Sequence, residues 1–182
     1  MDRRTRRGAA VRRMILWDQE LTFLLNRLVH RRSARRFFSL ISRLGNGRLW
    51  YALMVTLPLL HGLYGLLASL HMGVTALITL TVYRLVKGAA QRPRPGAVNE
   101  VILQGTAALD EYSFPSGHTM HAVMFTLVAT AWFPDLLPVL AVFTTLTAVS
   151  RVVLGLHYPT DVVLGALFGL LIAWASLLAA GF

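Results

Sequence analysis

The chain has 182 residues, 55% of them hydrophobic and 14% charged, with a mean hydropathy of +0.58. Soluble domains carry about 25% charged residues, so this balance excludes an ordinary water-soluble domain and points to a membrane protein. No cysteine is present, which excludes disulfides, zinc–thiolate sites and cysteine nucleophiles.

The net charge of +10 is unevenly placed, with 13 of the 18 basic residues being arginines between Arg3 and Arg48. Such a run attracts anionic lipid head groups or nucleic acid. Beside so apolar a body, anionic lipid is the expected partner, and no nucleic acid is expected. Residues 1–13 read as a basic disordered tail. The apolar stretch after it stops at Asp18 and Glu20, short of the about 7–15 residues of a secretory signal core, so no cleaved segment is expected.

Residues 14–48 should form interfacial amphipathic helices. Ile15, Leu16, Leu21, Leu24, Leu25 and Leu28 recur at helical spacing. Asp18, Glu20, Asn26 and Arg27 interrupt them, and a charge at the centre of a spanning helix costs about 2.5–3.5 kcal/mol. A second segment over 33–44 repeats the pattern and ends at the turn Gly45-Asn46-Gly47.

A single membrane-embedded bundle is expected over 49–182, with spans at 49–70, 72–90, 117–133, 136–156 and 162–180. Each has the roughly 17–25 residues that a span needs. His71 alone would join the first two, and Pro134-Asp135 the third and fourth. The long connection, 91–116, is rich in Pro and Gly, and its 96–113 stretch is a candidate substrate lid. Gly165, Gly169 and Ala173 form a small-residue row on the last helix, suited to close packing within the subunit. The fold class is therefore all-α, a multi-pass membrane helical bundle of about five spans. Alternating these spans gathers every lysine and arginine on one face and leaves His71 and Asp135 on the other.

Three clusters lie on the basic face. The first runs from Lys87 through Arg92-Pro93-Arg94-Pro95; a lysine at a helix end suits the helix dipole, and the prolines extend the chain after it. The second, Pro115-Ser116-Gly117-His118, opens a helix, where unpaired backbone N–H groups favour an anion. The third comprises Ser150-Arg151, His157 and Asp161. A carboxylate just beyond a histidine can take its ring N–H and leave the other nitrogen as a nucleophile. Singly, each cluster also reads as an ordinary basic stop, a capped helix or a polar connection.

Together, Lys-x6-Arg-Pro, Pro-Ser-Gly-His and Ser-Arg-x5-His-x3-Asp closely resemble the signature of the type 2 phosphatidic acid phosphatase superfamily, over roughly 18–175. That resemblance implies a helical bundle whose motifs meet at one membrane surface. It implies that His157 attacks phosphorus to form a phosphohistidine and that Asp161 orients it. Lys87, Arg94 and Arg151 would bind the phosphoryl oxygens with Ser116 and the Gly117 backbone, and His118 would protonate the leaving lipid oxygen. Fixed cations can supply the charge that phosphoryl transfer needs, so neither a metal nor a cofactor is expected. Arg84 and His121 are candidates for supporting contacts behind these groups. The family is also similar to soluble vanadium haloperoxidases, against which the spans argue.

The expected activity is hydrolysis of a membrane lipid phosphate or diphosphate, with phosphatidate, phosphatidylglycerophosphate and undecaprenyl diphosphate all fitting. A lipid phosphotransferase would use the same residues. A non-enzymatic arginine-rich membrane protein would leave Pro-Ser-Gly-His and His157 without purpose. The basic flanks favour a cytoplasm-facing site in the inner membrane.

Overall fold

The computed structural model describes the backbone of residues 3–108 and 110–182, and side chains from Arg12 onward. It is all helical: α1 (Arg3–Asn26), α2 (Arg32–Arg43), α3 (Leu49–Ala90), the short α4 (Pro95–Val98), α5 (Gly117–Trp132), α6 (Leu137–Val153) and α7 (Pro159–Ala180). Three segments, Arg32–Val98, Pro134–Val153 and Pro159–Ala180, are long and apolar enough to cross a membrane. Leu59, Leu63, Leu77, Val139 and Trp174 are all exposed, a surface that water would not tolerate as one apolar belt and that lipid tails would cover.

α3 is two passes in one element. Gly62 stands at φ 56°, ψ −132° inside it, a backbone state open to glycine and strained for any residue with a Cβ. The chain reverses there, and the turn sits against the far end of α5: His61 packs on Phe133 with ring centroids 4.7 Å apart, and Tyr64 Oη donates to the Trp132 carbonyl at 3.0 Å. This corrects the turn expected at His71, which lies inside the second pass. His71 is satisfied where it stands, with Nε2 2.7 Å from Ser176 Oγ and Trp132 Nε1–H donating to its Nδ1 at 3.0 Å. The break at Gly45-Asn46-Gly47 falls where the turn residues place it.

α5 is the central helix. Trp50, fully buried, stacks on Phe125 at 5.0 Å and meets Phe143 edge-on at 5.8 Å. Lipid tails are as apolar as leucine, so close approach rather than exclusion from water must hold such helices together. The small-residue row of α7 supplies that approach within the subunit. A Cβ added at Gly165 would lie 2.7 Å from the Ser116 carbonyl oxygen, and one at Gly169 2.3 Å from that of Met120. The contact fixes the start of α5 beside the start of α7, and with it the relation of the second signature cluster to the third.

The N-terminal helices differ from the expectation in two ways. Helix α1 already runs from Arg3, so the segment expected as a disordered tail is helical from there; Met1, Asp2 and the side chains of Arg3, Arg4, Arg6 and Arg7 lie outside the described residues. The amphipathic pattern is also turned outward. Met14, Ile15, Leu16, Trp17, Phe23 and Leu24 are exposed, whereas Asp18, Thr22 and Asn26 are buried. These three recur every four residues and so share one face.

Candidate active site

Helix ends bring the three clusters together. α3 closes at Gln91, whose left-handed φ of 43° turns the chain so that Arg92, Pro93 and Arg94 run back over the bundle end. α6 closes with the amides of Leu156 and His157 both donating to the Arg151 carbonyl, at 3.0 and 3.2 Å. α7 then opens with Pro159 in its first turn, where the missing N–H costs nothing. The Tyr158 amide donates to Asp161 Oδ2 at 2.8 Å, the reach-back of an acidic residue in a capping box. α5 opens at Ser116, whose amide donates to the Asp161 carbonyl at 3.1 Å.

Lys87, Arg94, Arg151, His157 and Asp161 are all buried at this one end. Three cations without counter-charge could not be buried together, and the chain supplies that charge from the long connection. Asp110 Oδ1 lies 2.8 Å from Lys87 Nζ and 2.5 Å from Arg94 Nη2, and Tyr83 donates its hydroxyl to Oδ2. Burial alone would raise the Asp110 carboxyl, but the Lys87 and Tyr83 hydrogen bonds and the nearby cations hold it below the usual carboxylate range. Arg94 also donates to the Leu156 carbonyl, directly before His157, and Arg151 donates to Ser42 Oγ at the end of α2.

His157 is 2% exposed. Burial pushes its imidazole well below the ordinary histidine value, and Arg151, Arg94 and Lys87 push the same way. Its ring is therefore neutral near pH 7, the state in which a nitrogen can act as a nucleophile. Nδ1 lies 3.8 Å from Asp161 Oδ2, within ion-pair range and beyond hydrogen-bond length.

Beside these groups opens a cavity of about 790 Å³. Lys87, Asp110, Gly117 and His118 line its polar end, while Trp50, Met54, Leu80 and Phe125 line the rest. The first-turn amides of α5 at Gly117 and His118 have no carbonyl one turn back to bind. A charged head at the polar end with an apolar chain beyond it matches this lining.

Other expected residues fall in different places. Ser116 is fully buried, its hydroxyl 2.9 Å from that of Thr119, so its side chain belongs to the helix start rather than the cavity wall. Arg84 and His121 both border the cavity; His121 Nδ1–H donates to the Gly117 carbonyl at 2.9 Å, and Arg84 is exposed. Residues 99–113 cover this end through Asp110, and Asn26 pins them by accepting from the Leu103 amide at 2.9 Å.

Four residues at the site went unassigned in the sequence. Asp110 and Tyr83 join the cradle as described. Arg92 reaches Asp161 Oδ1 at 2.6 Å and Asp18 Oδ2 at 2.7 Å. Arg92 stands inside the first motif, but nothing local marks its partner 74 residues away. The one available signal was Asp18 itself, a carboxylate set in apolar sequence with Thr22 and Asn26 at four-residue steps.

Fold and site together mark a class of protein: an all-helical membrane bundle that buries cations and a histidine around one end. The chain belongs to the PAP2 superfamily, whose family model matches residues 68–181. It is similar to the lipid A 1-phosphatase of Rhizobium johnstonii, 34% identical over 102 residues, covering 53% of this chain and 40% of that protein. The lipid A 1-phosphatase of Rhizobium etli matches at 34% identity, with 53% of this chain and 42% of the relative covered. The match thus spans about two fifths of these relatives' length. Among solved structures, LpxE from Aquifex aeolicus superimposes with a TM-score of 0.76 at 25% identity, covering 87% of this chain and 93% of that one. A PAP2-type phosphatidylglycerolphosphate phosphatase from Bacillus subtilis shares the fold, with a TM-score of 0.63 at 24% identity over 87% of this chain and 83% of that one.

Proposed function

We propose that this chain is an integral membrane lipid phosphatase that hydrolyses a lipid phosphomonoester or diphosphate through a phosphohistidine at His157. The observation that carries this reading is the neutral, buried His157 among Lys87, Arg94 and Arg151, beside a cavity that is polar at one end and apolar beyond. The phosphoryl group enters the cradle as the Asp110 carboxylate leaves Lys87 and Arg94. The three cations and the Gly117 and His118 amides then hold its oxygens, as positioning and charge stabilisation require; these residues provide the positive charge without a metal.

In the first step His157 Nε2 forms a bond to phosphorus as the bond from phosphorus to the lipid oxygen breaks. His118 gives its proton to that oxygen, and the lipid leaves as an alcohol, or as a monophosphate from a diphosphate. Asp161 needs only a small shift from 3.8 Å to accept Nδ1–H and stabilise the charge on the ring; such contacts commonly tighten when substrate binds. In the second step His118 takes a proton from water, oxygen attacks phosphorus, the N–P bond breaks and phosphate is released.

The named relatives favour a glycolipid 1-phosphate, and the Bacillus neighbour a phosphatidylglycerophosphate; phosphatidate and undecaprenyl diphosphate also fit the cavity. Phosphate release by the purified protein from these four lipids tests the substrate. His157→Ala is expected to lower release roughly 10⁴-fold or more; a folded His157→Ala protein with undiminished release refutes the mechanism. A lipid phosphotransferase would use the same first step, and would show the phosphoryl group on an added lipid alcohol instead of in water. Basic flanks favour a site on the cytoplasmic face of the inner membrane, with the arginine-rich helices on anionic lipid. A reporter fused after Phe182 then reports from the opposite side, and a cytoplasmic signal overturns that orientation.

A further inference from the structure

Helix α1 presents a buried polar face to the catalytic end and an apolar face outward. On the buried face Asp18 is fully enclosed and its carboxylate is satisfied by another helix. Oδ1 accepts the Thr160 amide at 2.9 Å, and Oδ2 accepts both the Thr160 hydroxyl and Arg92 Nη2–H, the latter at 2.7 Å. Thr160 lies in the first turn of α7, where amides lack partners and a negative charge is favoured. Arg92 extends the chain of contacts inward. Its Nη1 donates to Asp161 Oδ1 at 2.6 Å and to Thr160 Oγ1 at 2.8 Å, and its guanidinium lies 4.0 Å over the Tyr158 ring.

One guanidinium is thus shared between two buried carboxylates. Asp161 spends Oδ1 on Arg92 and turns Oδ2 to the Tyr158 amide and the His157 ring. We propose that Asp18 is a positioning residue for phosphoryl transfer: by holding half of Arg92 and the first turn of α7, it keeps Asp161 Oδ2 available to His157. Guanidinium and carboxylate prefer a fork-to-fork pair with two parallel hydrogen bonds. With Asp18 gone, Arg92 turns both nitrogens to Asp161, and Oδ2 is withdrawn from the imidazole. The loss falls on the step in which charge develops on His157, and leaves the phosphate cations untouched. An N-terminal helix outside the three signature clusters thereby becomes part of how the catalytic pair is set.

The same helix provides the control. Asn26, on the same buried face, donates to the carbonyls of Leu103 and Val153 at 2.8 and 2.9 Å and touches none of the groups assigned to the reaction. It clasps α1 and the 99–113 segment to the bundle without reaching Arg92 or Asp161.

This inference rests on His157 being the nucleophile. Full-length wild type, His157→Ala, Asp18→Asn, Asp18→Glu, Arg92→Lys and Asn26→Ala are compared for kcat, KM and thermal unfolding, using whichever lipid phosphate the wild type hydrolyses fastest. Partners behind a reacting group are commonly worth about 10–100-fold. Asp18→Asn is therefore expected to lower kcat by about that factor with KM within about twofold. Asp18→Glu should recover most of the loss. Arg92→Lys, which keeps the charge but cannot bridge two carboxylates with a fork, should reproduce the kcat-only loss even if Asp18→Asn fails to fold. Asn26→Ala, which loosens α1 and the 99–113 segment without touching Arg92 or Asp161, should lower the unfolding temperature and act on KM more than on kcat. Wild-type kcat in Arg92→Lys, or a loss in Asp18→Asn no greater than that of Asn26→Ala at equal loss of unfolding temperature, overturns the proposal. Retained activity in His157→Ala would instead refute the reading beneath it.

Discussion

The two ends of the bundle close by different physics. At the catalytic end Lys87, Arg92, Arg94, Asp18, Asp110 and Asp161 meet in ion pairs, and most of them are buried. At the opposite end Tyr64, His71, Trp132, Phe133 and Phe182 meet as a cluster of rings. Trp132 lies 5.0 Å from both Tyr64 and Phe182, and the polar atoms there bond pairwise without a charge. A Trp N–H can only donate, so the bond to His71 Nδ1 fixes the proton of that ring on Nε2, toward Ser176. One end keeps unlike charges apart from water at an energetic cost, and the other has little to do except pack. The lesson is a division of labour: substitutions at the charged end should change rate, and those at the aromatic end should change stability.

The largest effect should come from the cradle. Arg151→Gln removes one of the cations proposed to hold the phosphoryl group and should lower kcat/KM by roughly 10²–10³-fold, read as phosphate release from lipid in detergent; a loss smaller than tenfold would break the division at its strongest point. The pH profile sharpens the same point. In the proposed mechanism His157 must be neutral to attack, and burial with the three cations lowers its pKa, so protonation would silence it only in more acid solution. The acid limb of kcat/KM is expected below about 6.5, the ordinary histidine value, and should move upward in Arg151→Gln. A wild-type limb above that value contradicts the electrostatics described.

At the other end Trp132→Ala should destabilise the fold by about 1–3 kcal/mol, below the range for a fully buried Trp because this ring is half-buried. Its kcat, measured below the unfolding transition, should match the wild type. A kcat loss there would show that the ends are coupled through α5. The smallest expected effect is the coupling of His71 with Ser176, about 0.6 kcal/mol in a double-mutant cycle of unfolding, typical of hydrogen bonds between membrane helices.

The charged end was also the more legible of the two. Lys87, Arg94, Arg151, His157 and Asp161 stand at helix termini because hydrocarbon excludes them from helix centres, so hydropathy and motif spacing locate them together. The aromatic end obeys no such exclusion. The polarity of His71 interrupts an apolar run and so predicts a loop there, yet within the bundle Ser176, 105 residues away, satisfies it. The real turn is made by Gly62, whose backbone angles leave no mark in hydropathy. The apolar side of α1 was visible, but which way it faces was not. That is decided by Asp18 and Asn26, whose burial depends on Thr160, Arg92 and Val153 far along the chain. Asp110 is hidden for the same reason: its partners Tyr83, Lys87 and Arg94 lie 16 to 27 residues earlier in the chain.

The bond from Asp18 to Thr160 joins residues 142 positions apart, which has a consequence for biogenesis. The ribosome makes α1 well before α7, so Asp18 has no Thr160 amide to bind until α7 is made. The exposed Met14, Ile15, Leu16 and Trp17 give the nascent helix somewhere to wait, at the membrane surface, with its carboxylate still in water. Only when the final hairpin enters can α1 roll its polar side inward and seat. The arrangement around Asp161 is thus completed only after α7 has been made.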